Sequence, residues 1–290
     1  MVGSFEQDEI RMEFAGTRKT HGQMLFIEKE VPYLAFRTLL SEPEVRHGCA
    51  TRLGGVSEGC FASLNLGFFR GDSEEKVREN FCRICDSIGV DVKKVVLPKQ
   101  VHECNVRRVT EEDFGNGIVR PLPYDSVDAQ VTNVRGAVLA VFGADCVPIL
   151  FYDPAGHAIG TAHAGWRGSI GRIAQKTVET MTREFGTDPK QIKACIGPSI
   201  CGECYEVDGI VLRRFSEEFP EAVTACGQGK GLLNLWKVNE TVLLQAGLLP
   251  EHITVSGVCT KCNSDVFFSH RVMGERRGNL ACFISLAEEK

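Results

Sequence analysis

Two short apolar runs without a polar face, residues 137–142 and 147–152, read as strands buried on both sides. Between them Gly143-Ala144-Asp145-Cys146 breaks the pattern with a carboxylate and a thiol. After an Asp-Pro-Ala-Gly turn at 153–156, a third run, 157–162, delivers His163. Gly165 and Gly168 bracket Trp166 and Arg167. A helix is then predicted over 169–185, because Ile170, Ile173, Ala174, Val178, Met181 and Phe185 recur at helical spacing and Gly186 caps the end. A thiol thus stands at one strand end and an imidazole at another. The helix start beside them, with its free N–H groups and dipole, favours an anion.

The same patterning organises the rest. Residues 24–28 and 31–37 predict a hairpin, and 45–51 a strand. Glycine-flanked segments follow at 52–57 and 63–67. They put Arg52 and Asn65 on loops, where the side chains either bind a ligand or tie down their own turns. A helix over 72–88 has acids in its first turn, Val77, Phe81, Ile84 and Ile88 on one face, and Gly89 as its stop. Strands at 92–97 and 103–109 flank His102. Residues 110–126, with two glycines and two prolines, read as a long loop of the kind that forms lids. Strands are expected at 192–196, 252–258 and 281–286, with helices near 208–219 and 233–246. Strands dominate, strict βαβ alternation is absent, and no repeat is visible. The expected fold class is therefore α+β, with mixed β-sheets and flanking helices. One domain over 21–290 is expected behind an N-terminal arm at 1–20.

Charge narrows the partners. The chain has 33 basic and 38 acidic side chains, a net charge of −5, so no basic excess favours nucleic acid. No apolar run approaches the roughly 20 residues that span a bilayer, so no membrane partner is expected. Residues 1–20 are charged and lack the apolar core of a signal peptide. With no export signal, the 13 cysteines read as reduced thiols of a cytoplasmic protein.

Three constellations carry candidate chemistry. His102, Cys146 and His163 each sit beside a strand end, so three strands can present them to one point. Two imidazoles and a thiolate suit zinc and leave a fourth position open, as catalytic sites do. Two His and one Cys also describe a blue-copper centre. Alternatively, Cys146 is a nucleophile with His163 or His102 as its base, although the neighbouring Asp145 opposes thiolate formation. The Cys-x-x-Cys pairs form the third group. Cys82/Cys85 falls on a predicted helix and reads as accidental. Cys201/Cys204 and Cys259/Cys262 lie in loops and match the spacing of a four-cysteine structural zinc site, though a chain this rich in cysteine also produces such pairs by chance. No phosphate-loop, dinucleotide or nucleobase-deaminase signature is present.

Nine blocks in order resemble the YfiH family, also called the laccase-domain or polyphenol-oxidoreductase family. They are Thr51-Arg-Leu-Gly-Gly-Val-Ser57, Ser63-Leu-Asn-Leu-Gly67, Lys99-Gln-Val-His102, Asp128-Ala-Gln-Val-Thr132, Ala144-Asp-Cys146, His163-Ala-Gly-Trp-Arg-Gly168, Ile196-Gly-Pro198, Cys204-Tyr-Glu-Val207 and Phe267-Phe-Ser-His-Arg271. The resemblance implies a zinc site made of His102, Cys146 and His163. It also implies purine nucleoside phosphorylase activity on adenosine or inosine with phosphate, accompanied by methylthioadenosine cleavage and adenosine deamination. In that setting Arg52, Asn65, Arg167 and Arg271 are candidates for binding substrate or phosphate, and Asp145 for moving a proton or orienting a ligand. A copper-dependent laccase-like oxidase and a cysteine hydrolase using Cys146 stand as alternatives. Two departures bear on substrate preference. His270 stands where the family usually has tyrosine, and Met273-Gly-Glu-Arg-Arg-Gly278 replaces the usual threonine-glycine-arginine pattern.

Overall fold

The computed structural model describes residues 23–288, so the arm expected at 1–20 lies outside the described residues. The strands run in chain order as β1 (Met24–Ile27), β2 (Tyr33–Phe36), β3 (Val45–Ala50), β4 (Val95–Val96), β5 (Val106–Arg108), β6 (Ala129–Thr132), β7 (Val138–Gly143) and β8 (Val147–Asp153). They continue as β9 (Ala158–Ala164), β10 (Lys193–Ile196), β11 (Glu206–Asp208), β12 (Val223–Gly227), β13 (Lys230–Leu233), β14 (Ile253–Val255) and β15 (Leu280–Leu286). The helices are α1 (Arg37–Leu40), α2 (Glu74–Ile88), α3 (Trp166–Ile170), α4 (Ile173–Phe185), α5 (Gly209–Glu218), α6 (Leu235–Gln245) and α7 (His270–Met273).

Two six-stranded sheets form the centre, ordered β1-β2-β3-β15-β7-β4 and β14-β10-β8-β9-β6-β5. Each mixes parallel and antiparallel pairs, as the α+β expectation required. One core cluster joins the inner faces: Leu139 and Val141 of β7 and Ile284 of β15 meet Leu150 and Tyr152 of β8 and Ile159 of β9. On the outer face of the first sheet, Val138, Ala140 and Phe283 pack on Val77, Phe81 and Ile84 of α2. On the outer face of the second, Val147, Ile149 and Phe151 pack on α4 and α6. The result is a helix–sheet–sheet–helix sandwich. Successive residues of β7 and β8 point to opposite cores, which is why neither strand has a polar face. Each fully buried Leu, Ile or Phe in these layers stabilises the fold by about 1.5–3 kcal/mol.

Several expected elements change. The helix expected over 169–185 is two helices, α3 and α4, broken where Arg172 adopts φ +59°. The second half of the first hairpin turns helical at Arg37. The strand expected over 92–97 is a turn of 3-10 helix followed by the two-residue β4, and that over 103–109 shortens to β5. The 110–126 loop is a folded wall rather than an open flap. Thr110 and Asp113 form a capping box, and Asp113 pairs with Arg107 at 2.6 Å. A small third sheet, β11-β13-β12, was not anticipated. Its strand β12 is mostly exposed and carries no apolar alternation. Among the described residues no helix is long and apolar enough to cross a membrane.

Candidate metal centre and its cavity

The chain crosses from one sheet to the other between β7 and β8, and the crossing is the tripeptide Ala144-Asp145-Cys146. Asp145 there takes φ +89°, a backbone state that a non-glycine residue holds only when its surroundings fix it. They do: its Oδ1 accepts from Thr260 Oγ1 at 2.7 Å, and its Oδ2 from Ser269 Oγ at 3.1 Å and from the Arg271 N–H at 2.6 Å. The main chain of Asp145 also accepts, from the Ile200 N–H at 3.1 Å.

His163 is the penultimate residue of β9, paired with Pro148 of β8, which brings it beside Cys146. His102 arrives from the segment after β4. Gln100 holds that segment to the end of β7, its side chain bonded to both the N–H and the carbonyl of Phe142 at 2.7 and 3.0 Å. His102 itself sits at φ +63°. The cause is Asp128, whose buried carboxylate accepts the backbone N–H groups of Val101, His102 and Glu103 at 2.9–3.2 Å. The same carboxylate takes His163 Nδ1 at 3.1 Å. Burial pushes Asp128 up, but the bonds from His163 and these amides bring it below the usual carboxylate range.

Around this hub the ligand atoms of His102, Cys146 and His163 lie within 4.8 Å of one another. The two imidazole rings meet edge to face at 4.7 Å. Burial pushes the Cys146 thiol up, yet the neighbouring His163 and His102 pull it down to about 6. His163 is taken the other way. Burial lowers it, but the Cys146 thiolate and Asp128 raise it to about 9. The donor set fits zinc on three counts. It offers two nitrogens and one sulfur, and Asp128 fixes His163 from behind in the manner of a carboxylate–histidine–metal relay. Gly165 leaves the space open, since a Cβ there would lie 3.0 Å from Cys146 Sγ and 3.4 Å from His102 Cδ2.

The three side chains line a cavity of about 730 Å³. Its walls come from the 67–70 turn, the 110–126 loop and the 142–146 crossover, with Arg277 and Asn279 opposite. Two of its cations are notable for what they lack. Arg70 Nε and Arg277 Nε are buried without a hydrogen-bond partner. Burial and the charge of Arg70 lower Arg277 to about 10, so it remains protonated at neutral pH. Lys99 also lines the cavity, with its Nζ 5.1 Å from the centroid of Phe69. Phe69 is 81% exposed and Val119 64%, an apolar pair that also lines the cavity. None of Arg70, Arg277, Lys99 and Phe69 is among the binding residues expected from the sequence, although Lys99 opens the 99–102 block. Arg70 does follow the 63–67 block closely, and Arg277 lies in the altered 273–278 segment.

The other expected binding residues lie elsewhere. Arg52 does not reach the cavity. It donates to Ala62 O and Ser264 O at 2.8 and 3.0 Å and lies 4.6 Å from the Phe268 ring centroid. Asn65 is fully buried, bonded to Asp72 and to the Asn279 N–H at 2.9 Å each. Arg167 lies over Trp166 at 4.3 Å, and Arg271 over Tyr205 at 5.2 Å, and neither lines the cavity. Cys82 and Cys85 sit on α2 and belong to neither candidate ligand group among the described residues.

Fold and site together define a sandwich protein with a candidate two-histidine, one-cysteine donor set in a cavity that also holds two guanidinium groups whose Nε–H donors lack a partner. The chain belongs to the family described as "Multi-copper polyphenol oxidoreductase laccase", whose model matches residues 46–287. It is 36% identical over 256 residues to "Purine nucleoside phosphorylase YlmD" of Bacillus subtilis (strain 168), a match covering 87% of this chain and 92% of that one. It is 34% identical over 223 residues to "Adenosine deaminase RL5" of an unknown prokaryotic organism, covering 75% and 85%. The crystal structure of YlmD from Geobacillus stearothermophilus superposes with a TM-score of 0.84 at 34% identity, covering 91% of this chain and 99% of that one.

Proposed function

We propose that this protein is a zinc-dependent purine nucleoside phosphorylase, converting adenosine or inosine and phosphate to free base and ribose 1-phosphate. The observation that carries this assignment is the presence, in one cavity, of the His102–Cys146–His163 donor set and two guanidiniums with unpartnered Nε–H groups. A buried cation with an unpaired donor is costly, and an anionic oxygen satisfies both needs. The relatives named purine nucleoside phosphorylase support the same chemistry.

In phosphorolysis a phosphate oxygen bonds to the anomeric carbon while the carbon–nitrogen bond breaks and its electrons go to the purine, which takes up a proton. The ribose passes through an oxocarbenium-like state. Arg70 and Arg277 hold the phosphate oxygens by charge-assisted hydrogen bonds and fix the nucleophile against the sugar, and Lys99 adds positive charge. Phe69 offers the purine a face to stack on, and Val119 an apolar edge that suits the thioether of methylthioadenosine. Zinc held by His102, Cys146 and His163 supplies a Lewis acid for a substrate or phosphate oxygen in this cavity. Asp128 and Asp145 act as positioning residues. Asn65 supports the cavity wall through the N–H groups of Gly67 and Asn279, and the Arg271 N–H holds Asp145. The protein works in the reducing cytoplasm, where its thirteen cysteines stay out of disulfides.

Hydrolytic deamination of adenosine is a second activity of the same cavity, favoured by the relative named adenosine deaminase. Water attacks the amino-bearing ring carbon and ammonia leaves. Among the described residues the copper-oxidase alternative finds no ligand set for a multinuclear cluster. Apart from His102 and His163, the described histidines are engaged elsewhere: His47 with Phe36, His157 with Glu44, His252 with Lys190 and His270 near Glu275.

The test is product analysis of adenosine and inosine incubated with zinc-loaded protein, with and without phosphate, beside Cys146→Ala. Phosphate-dependent release of base and ribose 1-phosphate, lost in the variant, is expected. Phosphate-independent inosine from adenosine reports the deaminase. Turnover indifferent to chelators, with a covalent adduct at Cys146, would replace both with a cysteine hydrolase.

A further inference from the structure

Two Cys-x-x-Cys loops that the function does not use meet on the far side of the Asp145 hub. The first, Cys201-Gly202-Glu203-Cys204, follows β10. The second, Cys259-Thr260-Lys261-Cys262, follows β14. These strands are parallel neighbours, with Cys195 opposite Thr254, so both loops leave the same edge of the sheet. The pairing continues into the loops as a bridge between Ser199 and Cys259. The Ser199 N–H donates to Val258 O at 3.1 Å and the Thr260 N–H to Ser199 O at 3.2 Å.

The four Sγ atoms lie within 4.8 Å of one another and all four thiols are free. Cys201 and Cys259 are buried. Cys204 Sγ and Cys262 Sγ are 3.4 Å apart, a non-bonded separation. Backbone N–H groups of Cys201 and Cys262 point at Cys259 Sγ at 3.3 and 3.5 Å, donors that suit a thiolate. Gly202 lets its loop lie against Asn234, the N-cap of α6, where a Cβ would come within 2.8 Å of the Asn234 Cβ. Sulfurs bound to zinc at about 2.3 Å in a tetrahedron stand roughly 3.8 Å apart, close to the spacing already present.

We propose that Cys201, Cys204, Cys259 and Cys262 bind one zinc ion as a closed tetrathiolate, a second and purely structural metal centre that clamps the loop carrying Cys146. Four protein sulfurs leave no open position, so the site holds structure and takes no substrate. Each knuckle grips Asp145 through the residue beside its first cysteine. The Ile200 N–H donates to Asp145 O at 3.1 Å, and Thr260 Oγ1 to Asp145 Oδ1 at 2.7 Å. Cross-linking the knuckles therefore fixes the residue next to Cys146 in its left-handed conformation. The proposal is independent of the phosphorylase assignment.

The test is elemental analysis of protein purified under reducing conditions, as wild type, Cys146→Ala and the double variant Cys204→Ser/Cys262→Ser. Cys146→Ala should retain one zinc per chain, and the double variant should hold one fewer than wild type. Should the double variant fail to fold, Cys146→Ala loaded with cobalt(II) decides. The intense sulfur-to-cobalt and tetrahedral ligand-field bands of four thiolates are expected. Alkylation and peptide mapping of the same protein should show these four cysteines shielded until a chelator is added. Free alkylation of all four without chelator, no metal retained by reduced Cys146→Ala, an iron–thiolate chromophore in place of zinc, or a Cys204–Cys262 disulfide would overturn the proposal.

Discussion

Asp128 Oδ1 stands 3.1 Å from His163 Nδ1 while the same carboxylate holds the backbone N–H of His102 at 2.9 Å. One side chain thus orients two of the three proposed metal donors, one through its ring and one through its backbone. Asp128→Asn keeps the size but replaces one acceptor oxygen with a donor amide facing N–H groups. Zinc affinity is expected to fall about 10- to 100-fold, the usual effect of losing such a support. Competition against a chromophoric chelator measures it, and a change below twofold would show that Asp128 does not position the donors.

Gly165 tests the space beside the thiol. An alanine Cβ would come 3.0 Å from Cys146 Sγ and 3.4 Å from His102 Cδ2. Gly165 has φ −64°, so the backbone itself tolerates alanine. Gly165→Ala should therefore fold, with a far-ultraviolet spectrum like wild type, while zinc affinity and kcat/KM each drop at least about tenfold, the scale on which small displacements of reacting groups are felt. Unchanged zinc affinity would mean that the donors have room to move aside.

Arg70 and Arg277 are expected to act on phosphate rather than on nucleoside. A hydrogen bond to a charged group is worth about 1.5–3 kcal/mol, so Arg277→Met should raise the KM for phosphate roughly 10- to 150-fold. Arg70→Met should behave similarly. Nucleoside affinity measured without phosphate should change little in either variant. Initial rates at varied phosphate and fixed inosine separate the two effects, and an equal loss for nucleoside and phosphate would reject the assignment.

These residues also mark how far the sequence carries. The strands β7, β8 and β15 are legible because both of their faces are buried in different cores, which leaves an unbroken apolar run. His102, Cys146 and His163 are legible because each interrupts or ends such a run. Arg70 and Arg277 are not, since their place in the cavity depends on distant segments closing around them, and an isolated arginine in a loop has no pattern. Arg52 and Asn65 show the converse. Their glycine-rich surroundings read as an exposed loop, but the loop folds back and both side chains are spent on hydrogen bonds within it and to the 264 and 279 segments. The break between α3 and α4 was hidden because Arg172 is an ordinary helix former held at φ +59°. The two loop cysteine pairs suggest a four-cysteine site by their spacing, and the adjacency of β10 and β14, which spacing does not encode, is what brings them together.

His47 gives the fold a pH dependence separate from the metal donors. It lies in β3, 4% exposed, and its Nε2 accepts the Phe36 N–H at 2.8 Å. An accepting nitrogen cannot carry a proton, and burial lowers the imidazole from 6.5 to about 4. Between those values the unfolded chain binds a proton that the folded chain does not. Stability therefore rises with pH across this window. The contribution is complete above about pH 6.5, shrinks by about 2 kcal/mol at pH 5 and by about 3 kcal/mol near pH 4, and is constant below that. His47→Gln keeps an acceptor for Phe36 without titrating. Urea unfolding of both proteins at pH 7.5, 6, 5 and 4 should show the wild type losing stability relative to the variant as the pH falls, by about these amounts. A difference independent of pH would mean that His47 takes up its proton equally in the folded and unfolded chains and that the Phe36 N–H does not hold its ring neutral.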